Sequence, residues 1–176
     1  MCIFVPKFHR VTQSNPSKSF NMRFLGTCEA RTDAKGRAFL PAVFRKVLQA
    51  SGSETLMLRK DFFQDCLVLY PESVWNEQQD ILRRRLNRFN ARHQQIMRHY
   101  VQGVEMVTLD GNGLFLIPKR YLDMAGIKQD IKFIGMDNTI EIWACESLSK
   151  ATMDSEEFGK ALEEIMGQDA IPEDIY

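Results

Sequence analysis

Apolar and polar positions along the chain change period in a set order, and the order occurs twice. Leu25–Thr32 alternates as a strand does, turns at Ala34-Lys35-Gly36, and returns over Arg37–Leu40. Pro41 suits the first turn of a short helix, where its missing N–H costs nothing. Phe44, Val47 and Leu48 form that helix's apolar face, and Gly52 follows its end. Strands are expected at Thr55–Arg59 and Cys66–Tyr70. From Ser73 to Val101 the spacing changes to three and four, through Leu82, Leu86, Phe89, Ile96 or Met97, and Tyr100. That is a helical segment, and the poor helix formers Asn87 and Asn90 predict a break in it. The first order then recurs. Strands are expected at Val104–Leu109 and Leu114–Ile117, a helix over Pro118–Ala125, and strands at Ile131–Met136 and Thr139–Ala144. Ser147–Met166 reads as one more helix, with Leu148, Phe158, Leu162 and Ile165 apolar.

The recurrence extends to individual residues. Thr32–Pro41 reads TDAKGRAFLP, and 77 residues later Leu109–Pro118 reads LDGNGLFLIP. Asp33 aligns with Asp110, Gly36 with Gly113, Phe44 with Tyr121, and LVLYP at Leu67–Pro71 with IEIWA at Ile140–Ala144. In a repeated strand–turn–strand–helix unit, each copy can bury the face that the other exposes. Any site is repeated with it, which suits a ligand that is itself repetitive.

The 176 residues suffice for one or two small domains around a real core. Residues 1–21 carry Ser, Thr, Asn, Gln and Pro without periodicity and read as a flexible extension. They hold no secretory signal, and no apolar run is long enough to span a bilayer. Cys2, Cys28, Cys66 and Cys145 are scattered, which points to a reducing compartment and away from a zinc site. His9, His93 and His99 form no triad spacing, and there is no phosphate loop or nucleophile elbow. The chain therefore offers an enzyme nothing specific, and no cofactor or metal is expected. Net charge is zero but unevenly spread: residues 151–176 carry −7 and the remainder +7. A basic body with an acidic tail is compatible with a polyanion partner, and equally with a solvated terminus.

The one turn with distinctive chemistry is Ala34-Lys35-Gly36-Arg37. Lys35 and Arg37 flank a glycine at a hairpin tip, and Arg31 leads into it. Gly36 lets the backbone approach a partner closely, and the Arg37 fork can bond phosphate or the O6/N7 edge of guanine. The bland alternative is a solvated turn in which Arg37 pairs with Asp33.

FLGTCEARTDAKGRAFLP, then LVLYP before a long helix, then a second Asp-centred hairpin, together resemble the MraZ family of bacterial transcriptional regulators. That family comprises tandem relatives of the AbrB-type swapped-hairpin DNA-binding domain. The resemblance runs from Met22 to about Phe158. Its mark is DxxxR in each repeat. The first copy is intact from Asp33 to Arg37, whereas the second, Asp110 to Leu114, has leucine in place of arginine.

The resemblance implies an α+β, β-rich fold. Two AbrB/MraZ-type swapped-hairpin repeats would form a pseudo-twofold, barrel-like body, with a connecting helical segment and a C-terminal helix. The implied division is an extension at 1–21, repeats at 22–72 and 103–146, a helical connector at 73–102, and a helix with acidic tail at 147–176. It also implies a cytoplasmic, nucleoid-associated regulator acting on its own division and cell-wall gene cluster. The partners would be double-stranded DNA, as short repeated promoter boxes, and further copies of the chain in a ring. Arg37 is then the base-reading residue, Asp33 braces the turn, Gly36 allows close approach, and Lys35 and Arg31 meet phosphate. Lys119, Arg120 and Lys132 would add weaker phosphate attraction, and Leu114 a structural contact. The rival readings are an antitoxin-like protein-binding module of the same fold and a ring scaffold without specific DNA binding.

Overall fold

The computed structural model describes residues 22–52 and 55–168. The extension at 1–21 and the end of the acidic tail lie outside the described residues. The first repeat runs through β1 (Thr27–Arg31), β2 (Arg37–Phe39), α1 (Ala42–Ser51), β3 (Thr55–Lys60) and β4 (Cys66–Pro71). Helices α2 (Glu72–Arg85) and α3 (Ala91–Gln102) follow. The second repeat is β5 (Val104–Thr108), β6 (Leu114–Leu116), α4 (Lys119–Met124), β7 (Asp130–Met136) and β8 (Thr139–Ala144). Helices α5 (Cys145–Ala151) and α6 (Ser155–Gln168) end the described chain.

Local chemistry sets the helix limits. Pro41 precedes α1, and Gly52 closes it in the left-handed conformation, φ 71°. The break foreseen near Asn87 and Asn90 separates α2 from α3. The Asn87 side chain accepts from Phe89 N at 2.9 Å, and the Asn90 side chain caps α3 by accepting from His93 N at 3.2 Å. The single helix expected over Ser147–Met166 is instead two. Asp154 accepts from the backbone N–H of Glu156 and of Glu157, both at 2.9 Å, and so starts α6 as a separate helix.

Six strands form one antiparallel sheet in the order β1-β7-β8-β4-β3-β5, and β2 pairs with β6 in a separate ribbon. The repeats exchange strands. β1 of the first repeat hydrogen-bonds β7 of the second, and β5 of the second hydrogen-bonds β3 of the first. At the centre, Val68 faces Glu141 across β4 and β8, and Ala38 faces Phe115 across β2 and β6. Each is opposite its own repeat counterpart, so a pseudo-twofold axis passes through both pairs. The expected barrel-like body is seen as an open ladder with β1 and β5 at its edges, because β2 and β6 leave the large sheet to pair with each other.

The core follows the same symmetry. Leu40 and Ile117, Phe44 and Tyr121, and Leu58 and Phe133 are buried as repeat equivalents. They belong to one continuous apolar cluster to which both repeats contribute. Burial, and then the Glu141 carboxylate, pushes the Cys66 thiol up to about 12. Among the described residues Cys28, Cys66 and Cys145 are free thiols.

The α2–α3 hairpin is held to the body by a second cluster. The Arg59 guanidinium lies 3.6 Å from the Phe62 ring centroid and 4.9 Å from that of Tyr100. Tyr100 in turn stacks on Trp75 at 5.1 Å. Arg59 is buried, its Nη1 has no hydrogen-bond partner, and burial lowers its pKa. The aromatic faces, the Lys60 carbonyl that accepts from Nε at 3.2 Å and the nearby Asp61 charge together offset its burial.

The axis makes a packing prediction. Phe115→Ala should cost about 3–5 kcal/mol, and Ala38→Phe, by overpacking, about 1–3 kcal/mol. Because the two positions are equivalent, the double exchange moves the ring to the other side of the axis at constant volume. Urea denaturation should give it a smaller loss than the sum of the singles. Strict additivity would show that positions 38 and 115 do not share one packing site.

Candidate nucleic-acid interface

Two turns project from the β2–β6 ribbon, and their backbones are near copies. In the first, Asp33 N donates to Arg37 O and Gly36 N to Asp33 O, each at 2.9 Å. In the second, Asp110 N donates to Leu114 O and Gly113 N to Asp110 O, again at 2.9 Å. Each aspartate caps its own turn. Asp33 Oδ1 accepts from Lys35 N and Arg37 N at 2.9 Å, and Asp110 Oδ1 from Asn112 N and Leu114 N at 2.9 and 2.8 Å. A carboxylate collecting two backbone N–H groups explains why aspartate stands at both positions.

The turns interlock across the axis. Ile117 N donates to Gly36 O, and Leu40 N to Gly113 O, both at 2.9 Å. Gly36 and Gly113 have φ of 82° and 83°, which L side chains rarely adopt. A Cβ on Gly36 would also lie 2.6 Å from the Ile117 carbonyl oxygen. The two turns are therefore fixed at opposite ends of one ribbon. Four strand residues at about 3.3 Å each put them roughly 13 Å apart.

Side chains distinguish the two tips. At the first, Asp33 Oδ2 receives Arg37 Nε at 2.7 Å and Nη2 at 2.6 Å. This side-on grip leaves the Nη1/Nη2 edge of the guanidinium directed away from Asp33, and that edge makes bidentate contacts. The Arg37 backbone N–H, and then its guanidinium, hold the Asp33 carboxyl below the usual aspartate range. At the second tip Leu114 leaves Asp110 without this partner. A cation nevertheless arrives from the other repeat: Arg45 of α1 crosses the axis and its Nη1 donates to Asn112 O. Its Cδ occupies the space where a Gly113 Cβ would be, and its Nε is buried without a partner. At the first tip the matching place is held by Leu122 of α4, 3.1 Å from a Gly36 Cβ. Each tip thus has one arginine and one leucine in exchanged positions. Sequence reading missed Arg45. The signal was available, because alignment of the repeats sets Arg45 opposite Leu122 just as it sets Arg37 opposite Leu114.

The other predicted residues are dispersed and mostly paired. Arg31 meets Asp130 at 2.5 Å on the edge pair β1–β7, and Lys132 meets Glu29 at 3.1 Å beside it. Arg120 pairs with Glu105 and lies 4.8 Å from the Tyr121 ring centroid. Among the described residues Lys35 and Lys119 make no ion pair. The outer face of the ribbon is completed by exposed Phe39 and Leu116, which are repeat equivalents. Among the described residues no cluster of His, Cys, Asp and Glu could hold a metal ion, and no helix is long and apolar enough to cross a membrane.

A family model described as "MraZ protein, putative antitoxin-like" matches residues 23–99 and 101–165. A protein of Phocaeicola vulgatus named Transcriptional regulator MraZ is 66% identical over 146 residues, covering 83% of this chain and 95% of that protein. Proteins of the same name from Bacteroides thetaiotaomicron and Bacteroides fragilis are 60% and 59% identical over 148 residues. Each alignment covers 84% of this chain, and 95% and 94% of those two proteins respectively. The shared name describes regulation, a non-enzymatic role.

The Asp33–Arg37 geometry predicts a titration. Because the Asp33 pKa is depressed, the bridge is intact throughout the range above the usual aspartate value. It is lost as the pH falls through the lower value of Asp33 itself. Arg37→Leu copies the second tip and should move the Asp33 carboxyl part of the way up, since the backbone donors remain. Carboxyl-carbon NMR titration would measure this, and an unmoved Asp33 would show that the guanidinium does not contribute.

Proposed function

The chain belongs to the MraZ family of transcriptional regulators, and from that premise we propose that it binds double-stranded DNA through the tips of its β2–β6 ribbon. The observation that carries the proposal is the Asp33–Arg37 bridge at a projecting turn. Asp33 holds the guanidinium side-on, so its free edge can reach the O6/N7 pair of a guanine with little further ordering. Gly36 keeps the turn low, and Lys35, which has no ion-pair partner among the described residues, can meet a neighbouring phosphate. Phe39 and Leu116 beside the tips can contact thymine methyl groups or sugars.

The second tip has no reading arginine of its own, and we assign its cation to Arg45. That guanidinium lies over the turn rather than beyond it, which suits phosphate better than a base edge. Arg31, Arg120 and Lys132 are already paired with carboxylates, so with Lys119 they supply a general positive field more than defined contacts. The two repeats, at 22–72 and 103–146, would face the DNA. Segments 73–102 and 147–176 would lie outside that contact.

One tip covers little surface, so useful affinity requires several tips at once. We therefore propose a ring-like homo-oligomer on short, spaced promoter boxes of its own division and cell-wall gene cluster, in the cytoplasm and at the nucleoid. The description "antitoxin-like" keeps a protein partner as the second reading, and exposed Phe39 and Leu116 would suit one.

Fluorescence anisotropy with the chain's own upstream DNA, at several salt concentrations, tests the proposal. Arg37→Ala should lose about 1–3 kcal/mol on cognate DNA and less on random DNA. Lys35→Ala and Arg45→Ala should weaken cognate and random DNA alike, each lowering the salt slope by about one. Wild-type affinity in Arg37→Ala at physiological salt would overturn the site. Absence of DNA binding by the wild type would leave the protein-binding reading.

A further inference from the structure

Helices α2 and α3 form a basic arm. Between Asp80 and Glu105 the sequence has six arginines and no acid. Arg83 reaches Asp80 at 3.4 Å, and among the described residues Arg84, Arg85, Arg88, Arg92 and Arg98 make no ion pair. Arg83, Arg88 and Arg98 line a hollow of about 600 Å³ with His93, Gln94 and Met97. The arm is also apolar in places. Phe89, at its apex, is 96% exposed, and Ile81, Ile96 and Val101 are exposed along it. Arg84 and Arg85 follow Ile81 by three and four residues, and Arg92 precedes Ile96 by four, so each isoleucine shares its helix face with arginines.

Helix α6 has the complementary character. Phe158, Leu162, Ile165 and Met166 fall on one stripe, and all are exposed. At 100° per residue, Glu157 on one side and Glu163 on the other are the acids nearest the stripe, with Glu164 and Glu156 farther round. Only Lys160 offsets them, and it pairs with Glu156 at 2.7 Å on the opposite face. Among the described residues nothing covers this stripe. α5 packs on β7 and β8, on one half of the large sheet, whereas α2 packs on β3 and β4, on the other half.

We infer that α6 of one copy docks on the α2–α3 arm of a second copy. Its apolar stripe would lie against Ile81, Ile96 and the hollow, and its glutamates against the arginines. A DNA backbone could satisfy the arginines, but it would leave the isoleucines and Phe89 in water and α6 uncovered. The acidic helix satisfies all three. The inference rests on the proposed self-association and not on the DNA reading. Head-to-tail contact between two different surfaces closes into a ring when the rotation allows.

Light scattering on the full chain tests it by charge exchange. Arg84→Glu with Arg85→Glu and Arg92→Glu should reduce the assembly to single chains at moderate concentration. Glu157→Arg with Glu163→Arg and Glu164→Arg should do the same. All six changes are on exposed helix surface, so thermal midpoints of the single chains should be preserved. A chain carrying both sets, or an equimolar mixture of the two variants, should regain mass. High salt should lower the wild-type mass. Unchanged mass in either variant, or no recovery on combination, overturns the inference. Loss of DNA binding with unchanged mass in the arginine variant would assign the arm to DNA instead. A wild type that is monomeric at every concentration would overturn self-association as a whole.

Discussion

The backbone of β1 has no partner in its own repeat. The N–H and C=O groups on its inner side pair with β7, and those of β5 with β3, so each repeat extends the sheet of the other. Unpaired backbone groups at a buried edge are costly, so this exchange joins the two units into one folding body. The β2–β6 ribbon follows from it. Once β1 and β5 lie at opposite edges of the sheet, the strands that return from them meet at the axis and pair with each other. The two turns are therefore fixed by bonds between repeats, Ile117 to Gly36 and Leu40 to Gly113, and not by their own hairpins alone.

A site placed there is rigid without being deeply buried. Asp33 is exposed, yet backbone donors and Arg37 hold its carboxylate, and the guanidinium is oriented before any ligand arrives. Symmetry supplies two such places, but their chemistry has diverged. One tip presents an outward arginine from its own strand, while the other takes a cation from α1 of the opposite repeat. A backbone that is twofold and side chains that are not suit a ligand with an asymmetric sequence on a regular backbone.

Much of this was legible in the sequence because the signals were local. The Asp–Gly turns, the prolines ahead of α1 and α4, and the asparagines between α2 and α3 act within a few residues, and the structure has them where the pattern placed them. The repeat aligned Phe44 with Tyr121, and both are buried. What the sequence did not reveal depends on distance. Strand exchange sets Arg45 over Asn112, a contact 67 residues apart at which only the Arg45–Leu122 exchange in the repeat alignment hints. The aromatic setting of Arg59 draws on β3, α2 and α3 together. The open ladder, in place of closure, depends on which edges β2 and β6 choose. The start of α6 was missed for a different reason: a capping aspartate within a continuous apolar period is outweighed by that period when only spacing is read.

If the ribbon tips meet DNA, as proposed, the backbone of the two turns must be protected in the complex. Hydrogen-exchange mass spectrometry of the full chain, with and without its upstream DNA, reads this directly. Exchange should slow in peptides covering Asp33–Arg37, slow less at Asp110–Leu114, and change little in β4 and β8. Protection confined to α2 and α3, with the two turns exchanging as in the free protein, would contradict it.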